Sequence, residues 1–167
     1  VMALFGEQAL ITDSTFHGNV AGSGGRGGAV FLGNASLDIS FHIENSTFSG
    51  NLAGAVGPQG TGHGGALAAF GPGDCVHCTF ADNEARLLTE GGAIFVLHAA
   101  PILQNNVFTG NKGSYGGALA TDSMWSPIVG NRFEGNSTLS EGGAVSLLST
   151  SSAFLNNTVV RNSAPMD

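Results

Sequence analysis

The sequence predicts an all-β fold, a parallel β-helix of about six rungs. Two tetrapeptide motifs alternate along the chain: Phe-x-x-Asn, and Gly-Gly-Ala followed by Val, Ile or Leu. The Phe motifs begin at Phe16, Phe48, Phe80, Phe108 and Phe133, with a degenerate copy at Val159. The glycine motifs begin at Gly27, Gly64, Gly91, Gly116 and Gly142. Successive Phe positions lie 25–32 residues apart, a period typical of repeat proteins, in which each unit packs on its neighbours.

Each repeat unit contains short runs rich in Val, Ile, Phe, Thr and Leu, such as residues 29–32 and 94–97. Gly, Asn, Ser and Asp separate these runs, a pattern typical of strands joined by turns. No stretch between the glycines has the apolar period of about 3.6 residues that an amphipathic helix requires. Each unit is therefore predicted to hold three strands and three turns.

Length variation among the units is concentrated in one corner. From the Ala of a glycine motif to the next Phe position, the last four units count 14 or 15 residues. Between the Asn of a Phe motif and the next glycine motif, 4 to 12 residues intervene. In a stacked coil, sides that pair with the next rung keep their length, whereas a corner that loops into water does not. We therefore expect the glycine-rich corner loops, residues 20–26 and 52–63, to contact a partner.

Aligning the units places similar residues in columns along the predicted coil. The Phe and Asn of the first motif are expected to form structural ladders, with stacked rings inside and amides at a corner. These residues are Phe16, Phe48, Phe80, Phe108, Phe133, Asn19, Asn51, Asn83, Asn111, Asn136 and Asn162. Another column, two residues before the Phe position, holds Ser, Cys or Asn, and stacked Asn side chains there can hydrogen-bond along the coil.

One residue in the strand after each glycine motif is predicted to face outward. These residues are Phe31, Ala68, Phe95, Ala120 and Ser146. Two interpretations apply to Phe31 and Phe95. Side loops or neighbouring residues cover them, which we favour, or they form a contact face for a docking partner.

The two cysteines stand in the segment Cys75-Val76-His77-Cys78. A zinc site needs four ligands, and no second pair of ligands stands at a suitable spacing. The column alignment places Cys75 where other units have Ile or Leu, and Cys78 where they have Ser or Asn. We favour substitution within the core, then a local disulfide in an oxidising compartment, and only third a metal or catalytic site.

The charge balance excludes nucleic acid as a partner and favours a protein that is not an enzyme. The chain has 5 basic and 12 acidic residues, a formal charge of −7, and its basic residues do not cluster. Glu90 and Glu141 share a column directly before their Gly-Gly, which we interpret as a solvated turn. The five histidines fall in unrelated columns. We expect no cofactor and no metal, and no apolar run reaches the roughly 18 residues needed to cross a bilayer.

Four sequons, at Asn34, Asn45, Asn136 and Asn156, are candidate glycosylation sites. Chance matches are expected in a chain rich in Asn, Ser and Thr. The sequons matter only if the protein is secreted by a eukaryote, and the sequence does not reveal its source.

The repeated Gly-Gly-Ala-[Ile/Leu/Val] and Phe-x-x-Asn tetrapeptides resemble those of the polymorphic membrane proteins of chlamydiae. Five copies of each motif cover nearly the whole chain. The resemblance implies a right-handed parallel β-helix, exported as an autotransporter passenger, displayed at the outer membrane and acting in adhesion to host cells. Parallel crossovers are also right-handed in general. Because the chain begins and ends within a unit, residues 1–167 are expected to be a single β-helix segment of a longer array.

The sequence thus favours a non-enzymatic extracellular or cell-surface rod that binds a protein or glycan through its corner loops. One alternative is a structural repeat segment of an extracellular filament or appendage, with neighbouring subunits as partners. A second alternative is a carbohydrate-active β-helix enzyme. It is disfavoured because such catalysis needs carboxylates or a basic residue that converge on one strand face.

Overall fold

The computed structural model describes residues 1–4, 8–33, 39–54, 62–86 and 90–165. Over these ranges the chain is an all-β parallel solenoid with five rungs of four strands and a sixth rung of three. The predicted all-β parallel β-helix is therefore confirmed. The described residues include no helix long and apolar enough to cross a membrane.

The strands are numbered in chain order along the rungs. The first three rungs contain β1 (Met2–Leu4), β2 (Gln8–Thr12), β3 (Thr15–His17), β4 (Val20–Ala21), β5 (Val30–Leu32), β6 (Ser40–Glu44), β7 (Thr47–Ser49), β8 (Leu52–Ala53), β9 (Leu67–Ala69), β10 (Gly73–Val76), β11 (Thr79–Ala81) and β12 (Glu84–Ala85). The last three contain β13 (Ile94–Leu97), β14 (Pro101–Gln104), β15 (Val107–Thr109), β16 (Lys112–Gly113), β17 (Leu119–Asp122), β18 (Ile128–Val129), β19 (Arg132–Glu134), β20 (Ser137–Thr138), β21 (Val145–Leu148), β22 (Phe154–Leu155) and β23 (Thr158–Val160).

Strands at the same position of successive rungs pair in parallel and form four sheets. Sheet A contains β1, β5, β9, β13, β17 and β21; sheet B contains β2, β6, β10, β14, β18 and β22; sheet C contains β3, β7, β11, β15, β19 and β23; sheet D contains β4, β8, β12, β16 and β20. The register aligns the sequence motifs, since Phe80 pairs with Phe48 and Phe108. The sequence predicted three strands per unit and missed sheet D. Its strands have only two residues, too few for an alternating pattern to show.

A continuous stack of phenylalanine rings lies inside the coil. Neighbouring ring centroids of Phe16, Phe48, Phe80, Phe108 and Phe133 are 4.7–5.0 Å apart, and the ring planes are within 9° of parallel. All of these side chains except Phe16 are fully buried. Parallel strands in register repeat about every 4.8 Å, so identical inward side chains pack face against face.

A ladder of asparagine side chains follows the ring stack at the next corner. Its members are Asn19, Asn51, Asn83, Asn111, Asn136 and Asn162. Along the ladder, each Oδ1 from Asn51 onward accepts two hydrogen bonds from the preceding Asn, one from the backbone N–H and one from Nδ2, at 2.8–3.0 Å. From Asn51 onward, each Nδ2 also donates to the carbonyl of the preceding rung's Phe, whereas Asn19 Nδ2 donates to the His17 carbonyl of its own rung. The buried amides are therefore satisfied, which offsets the cost of removing them from water.

A second, shorter ladder lies at the corner between sheets B and C. The Oδ1 atoms of Asn131 and Asn157 each accept from the backbone N–H and Nδ2 of the preceding Asn at 2.8–3.0 Å. Asn106 begins this series, and its Oδ1 accepts the backbone N–H of Cys78 at 2.8 Å. In the first rungs, a serine hydroxyl takes the same role, since Ser46 Oγ accepts the backbone N–H of Ser14.

The third glycine motif shows why both of its glycines are needed. Gly91 has a φ of +69°, a region that other L-residues rarely adopt. A Cβ atom on Gly92 would lie 2.0 Å from the carbonyl oxygen of Gly117 in the next rung. The chain therefore turns at the first glycine and packs closely on the next rung at the second.

We expect Asn111→Ala to lower the free energy of unfolding by about 4 kcal/mol, because it leaves the buried N–H and Nδ2 of Asn83 without their acceptor. Asn19→Ala is the matched control at the end of the same ladder. Asn19 is half-buried, and no ladder asparagine donates to it. Its replacement should cost only about 1 kcal/mol. Equal losses in urea unfolding of the two variants would contradict a stabilising role for the inner ladder.

Candidate functional site

The outward column of sheet A is largely covered by neighbouring residues. Phe95 is only 2% exposed, and Ala68 and Ala120 are buried with Phe70 in a second apolar cluster outside the coil. The Phe31 and Phe70 rings meet edge to face, with centroids 5.3 Å apart. Phe95 is thus unavailable as a contact face, which corrects that interpretation, and covering by neighbours is the alternative that the structure supports.

Besides Phe70, which meets Phe95 edge to face, the covering residues come from one column, the residue directly before each glycine motif. We call it the pre-glycine column, and it consists of Arg26, His63, Glu90, Tyr115 and Glu141. Backbone bridges pair Arg26 with His63 and Glu90 with Tyr115 in parallel register. Because the chain turns at the positive-φ glycine that follows, these residues lie beside the outer face of sheet A.

In the lower rungs, the pre-glycine column closes over the aromatic rings. The Arg26 guanidinium lies 4.7 Å from the centroid of the Phe70 ring, a cation–π contact. The His63 ring stacks on Phe95 with centroids 4.5 Å apart. Burial, and secondly the Arg26 charge, lower the pKa of His63. His63 is therefore an uncharged ring that packs on the apolar cluster at neutral pH.

In the upper rungs, the same face opens into a cleft of about 340 Å³, which we call the sheet A cleft. It is lined by Glu90, Tyr115, Ala120, Thr121, Glu141, Ser146 and Leu148. Tyr115 is exposed and Glu90 is half-buried, whereas Ala120 is small and buried. None of these lining residues is basic, so the cleft has an acidic rim, an aromatic ring and a floor that includes small side chains.

Glu90 is the lining carboxylate with the most perturbed environment. Burial, and secondly the charge of Asp122, raise the pKa of Glu90. The nearest imidazole nitrogen, His63 Nδ1, lies 3.7 Å from Glu90 Oε2, too far for a hydrogen bond. Within the described residues this Nδ1 atom has no hydrogen-bond partner. The half-buried carboxylate of Glu90 can therefore accept a hydrogen bond from a ligand in the cleft.

A second polar cluster lies on the outer face of sheet B. His42 Nδ1 is bonded to Asp74 Oδ1, and His42 Nε2 lies 3.4 Å from Glu44 Oε2. His77 Nδ1 lies 3.9 Å from Glu44 Oε1. The hydrogen bond to Asp74 is the main cause of a raised pKa at His42. Among the residues that the structure describes, no three His, Cys, Asp or Glu side chains are placed to hold a metal ion.

The two cysteine side chains point into the core between sheets B and C. Cys75 and Cys78 are free thiols, 0% and 1% exposed. Cys75 pairs in register with Ile43 and Leu103, in agreement with substitution within the core. Neither thiol reaches the surface, so they contribute nothing to the sheet A cleft.

The sequon asparagines that the structure describes lie in two kinds of environment. Asn136 is fully buried, and Nδ2 donates both its hydrogens, to Asn162 Oδ1 and to the Phe108 carbonyl. The expectation that Asn136 carries a glycan is therefore wrong for the folded chain. Asn45 and Asn156 are exposed at corners with positive φ. Asn34 lies outside the described residues.

Sequence reasoning recognised only part of the pre-glycine column. Glu90 and Glu141 share a position in the repeat and are predicted to be solvated turn residues, whereas Arg26, His63 and Tyr115 are not grouped with them. All five residues directly precede a Gly-Gly pair, and this position could have identified the column.

Of the two loops expected to contact a partner, residues 20–26 lie within the described part of the chain. Residues 55–61 of the second loop lie outside it.

Comparison with known families agrees with this architecture. A family described as right handed beta helix region matches residues 3–165. The match confirms the right-handed parallel β-helix predicted from the sequence. No curated protein and no solved structure matches the chain. The narrower resemblance to chlamydial polymorphic membrane proteins stays a prediction.

The His42–Asp74 pair gives a pH-dependent prediction. The hydrogen bond to Asp74 raises the pKa of His42 above its usual value of about 6.5. The His42–Asp74 pair therefore stabilises the protein fully below about pH 6.5, and this stabilisation is lost as the pH rises through the raised pKa. Asp74→Asn should therefore destabilise the protein at about pH 5.5 but hardly at about pH 8.5. The effect should be small and salt-sensitive, since both side chains are over a third exposed.

Thermal unfolding of the wild type and Asp74→Asn at both pH values checks this pair. Asp13→Asn, which removes an exposed corner carboxylate in the first rung, is the control and should show no such pH dependence. If Asp74→Asn destabilises the protein equally at both pH values, protonation of His42 does not control the strength of this pair. The other carboxylate near His42 is Glu44, which both proteins retain.

Proposed function

We propose that this chain, which belongs to the right-handed β-helix family, is a non-enzymatic extracellular or cell-surface rod that binds a glycan. The binding site is the sheet A cleft, formed by the pre-glycine corners of the upper rungs. One observation carries the proposal: the same column that covers the aromatic cluster in the lower rungs leaves an open cleft with two carboxylates above it. In the third and fourth rungs, side chains of the molecule itself bury the outward residues Ala68 and Phe95.

The size of the sheet A cleft favours a glycan over a protein as the ligand. Its volume of about 340 Å³ falls within the roughly 300–1,000 Å³ of small-ligand sites. A stable protein contact instead buries about 1,600 Å² over a broad surface. Tyr115 offers a ring on which a sugar can stack, and Ala120 and Ser146 leave room beside it.

The charges of the cleft select among glycans. Carboxylates such as Glu90 and Glu141 accept hydrogen bonds from sugar hydroxyls and repel sulfated or uronic-acid polymers. The protein's net charge of −7 acts in the same direction. A neutral or amino-bearing glycan therefore fits best.

The arrangement of the two glutamates favours binding over hydrolysis. Glycosidases place an acid and a base on either side of one glycosidic bond. Here Tyr115 stands between Glu90 and Glu141 in the column, at the place where such a pair would have to hold the glycosidic bond. Alternating polar and aromatic groups along a rod suit repeated contact with an extended chain.

The proposed location is supported by the architecture and by the motif resemblance. Six rungs repeating at about 4.8 Å give a rod on the order of 30 Å long. Its low proportion of charged residues, 10%, is compatible with display outside the cell. Adhesion to a glycan-bearing surface is the activity that these features support together.

A glycan array probed with the purified chain tests this proposal. We expect retention on neutral or amino-bearing glycans and none on sulfated or uronic-acid polymers. Tyr115→Ala and Glu141→Gln should each weaken binding about tenfold, which corresponds to about 1.4 kcal/mol. Glu84→Gln, on the outer face of sheet D, is the matched control and should bind normally.

Two results would contradict the proposal. Binding that is insensitive to both cleft substitutions would place the glycan elsewhere. Release of reducing ends from a bound glycan, abolished by Glu90→Gln, would show an enzyme instead of a binding rod.

A further inference from the structure

The single tryptophan of the chain, Trp125, lies on the surface at the corner between sheets A and B. It is 59% exposed, although aromatic side chains of this size usually bury much of their surface. Among the residues that the structure describes, none is hydrogen-bonded to the indole N–H and no other ring contacts the indole. The ring and its donor are therefore available to a ligand.

The backbone beside Trp125 is fixed, although the indole is exposed. Met124 is fully buried and anchors the corner in the core. The Met124 carbonyl accepts the backbone N–H of Ser151 at 3.2 Å. On the other side, the hydroxyl of the buried Ser126 donates to the Ala100 carbonyl at 2.6 Å. A ligand that binds the indole therefore has little backbone to order, which favours affinity.

The neighbours of Trp125 along the coil are small. The register of β14, β18 and β22 places Ala100 next to Trp125 in the rung before it, and Ser151 in the rung after it. Neither side chain is large enough to cover an indole ring, and Ser151 adds an exposed hydroxyl. A sugar ring has an apolar face and hydroxyls at its edge. It can therefore stack on the indole while its hydroxyls bind the polar groups beside it.

Trp125 and Tyr115 lie beyond the two ends of the same strand, β17. Tyr115 precedes the glycine turn that leads into β17, and Trp125 stands three residues after Asp122, the last residue of this strand. Asp122 pairs with Leu148, which lines the sheet A cleft. The strand between the two aromatic residues is about 10 Å long. Because this exceeds the length of one sugar ring, a ligand that contacts both must contain several sugars.

We propose that Trp125 forms a second sugar subsite of the sheet A cleft, and that the ligand is an oligosaccharide that crosses β17 from Tyr115 to Trp125. This inference rests on the proposed function, since it assigns the far end of the same glycan. One sugar stacks on Tyr115 and another stacks on Trp125. Between them, the carboxylate of Asp122, whose Oδ1 accepts the Ser123 hydroxyl at 2.9 Å, can accept further hydrogen bonds from sugar hydroxyls.

Fluorescence titration of the purified chain tests the second subsite, because all of its indole emission comes from Trp125. The probes are the disaccharide and the hexasaccharide of chitosan, an amino-bearing glycan, and of cellulose, a neutral one. We expect a hexasaccharide to shift the emission to shorter wavelength and to protect the indole from quenching by acrylamide. The disaccharides should bind in the cleft at Tyr115 and leave the emission unchanged.

Calorimetric titration of variants separates the second subsite from the cleft. Trp125→Ala should weaken hexasaccharide binding about tenfold and disaccharide binding less than about twofold. Trp125→Phe, which keeps an aromatic ring, should retain most of the affinity for the hexasaccharide. Tyr115→Ala should weaken the binding of both probes. Leu10→Ala is the matched control, because it removes a 71% exposed apolar side chain from the outer face of sheet B, and it should bind both probes normally.

The outcomes distinguish this inference from the proposed function. If Tyr115→Ala weakens binding but Trp125→Ala does not, the cleft binds the glycan and the second subsite is wrong. If a hexasaccharide changes the emission but Tyr115→Ala has no effect, the glycan is held at Trp125 alone, which contradicts both proposals. If neither hexasaccharide changes the emission of Trp125, the second subsite is wrong whatever the cleft binds.

Discussion

The hydrogen bonds of the asparagine ladder fix the register on which the rest of this structure depends. In the inner rungs, each ladder Oδ1 binds the backbone N–H and the Nδ2 of the preceding rung, and each Nδ2 reaches back to a Phe carbonyl. A change of register between two rungs would leave several buried amide groups without hydrogen-bond partners. Each such group would destabilise the fold by about 1–3 kcal/mol. The ladder therefore allows one alignment only, and the phenylalanine rings stack because this alignment places them 4.7–5.0 Å apart.

The same constraint determines where the sequence is free to vary. From the Ala of the glycine motif to the next Phe position the chain counts 19 residues in the first unit and 14 or 15 in the last four, whereas the corner between sheets D and A varies from unit to unit. The last residue of this corner lies directly before the glycine turn. The turn fixes the position of its backbone, but its side chain does not pack in the core. Arg26, His63, Glu90 and Tyr115 therefore occupy equivalent places with different chemistry. A closed aromatic cluster in the lower rungs and an open acidic cleft above it are the consequence.

The sequence alone could predict the fold because each of the two motifs recurs five times along the chain, and such a repeat is recognisable without coordinates. It could not predict sheet D, whose two-residue strands carry no alternation. It could not predict that the His63 ring covers Phe95. His63 lies at a corner, where the sequence has no alternating pattern that shows which way a side chain points. For the same reason, Glu90 and Glu141 were interpreted as solvated turn residues, although Glu90 is half-buried beside the cleft. Asn136 matched a glycosylation sequon and a ladder position equally well, and only its burial distinguishes the two roles.

Hydrogen exchange measured residue by residue would test the central role of the asparagine ladder most directly. The backbone amides of Asn51, Asn83 and Asn111 lie at corners outside the strands, yet they donate to side-chain oxygens in the next rung. The ladder predicts that these amides exchange only when the whole molecule unfolds, as slowly as the central strand amides of sheet C. Exchange at the fast rate of solvent-exposed corner amides would contradict this account, because the rungs would then be held in register by the strands alone.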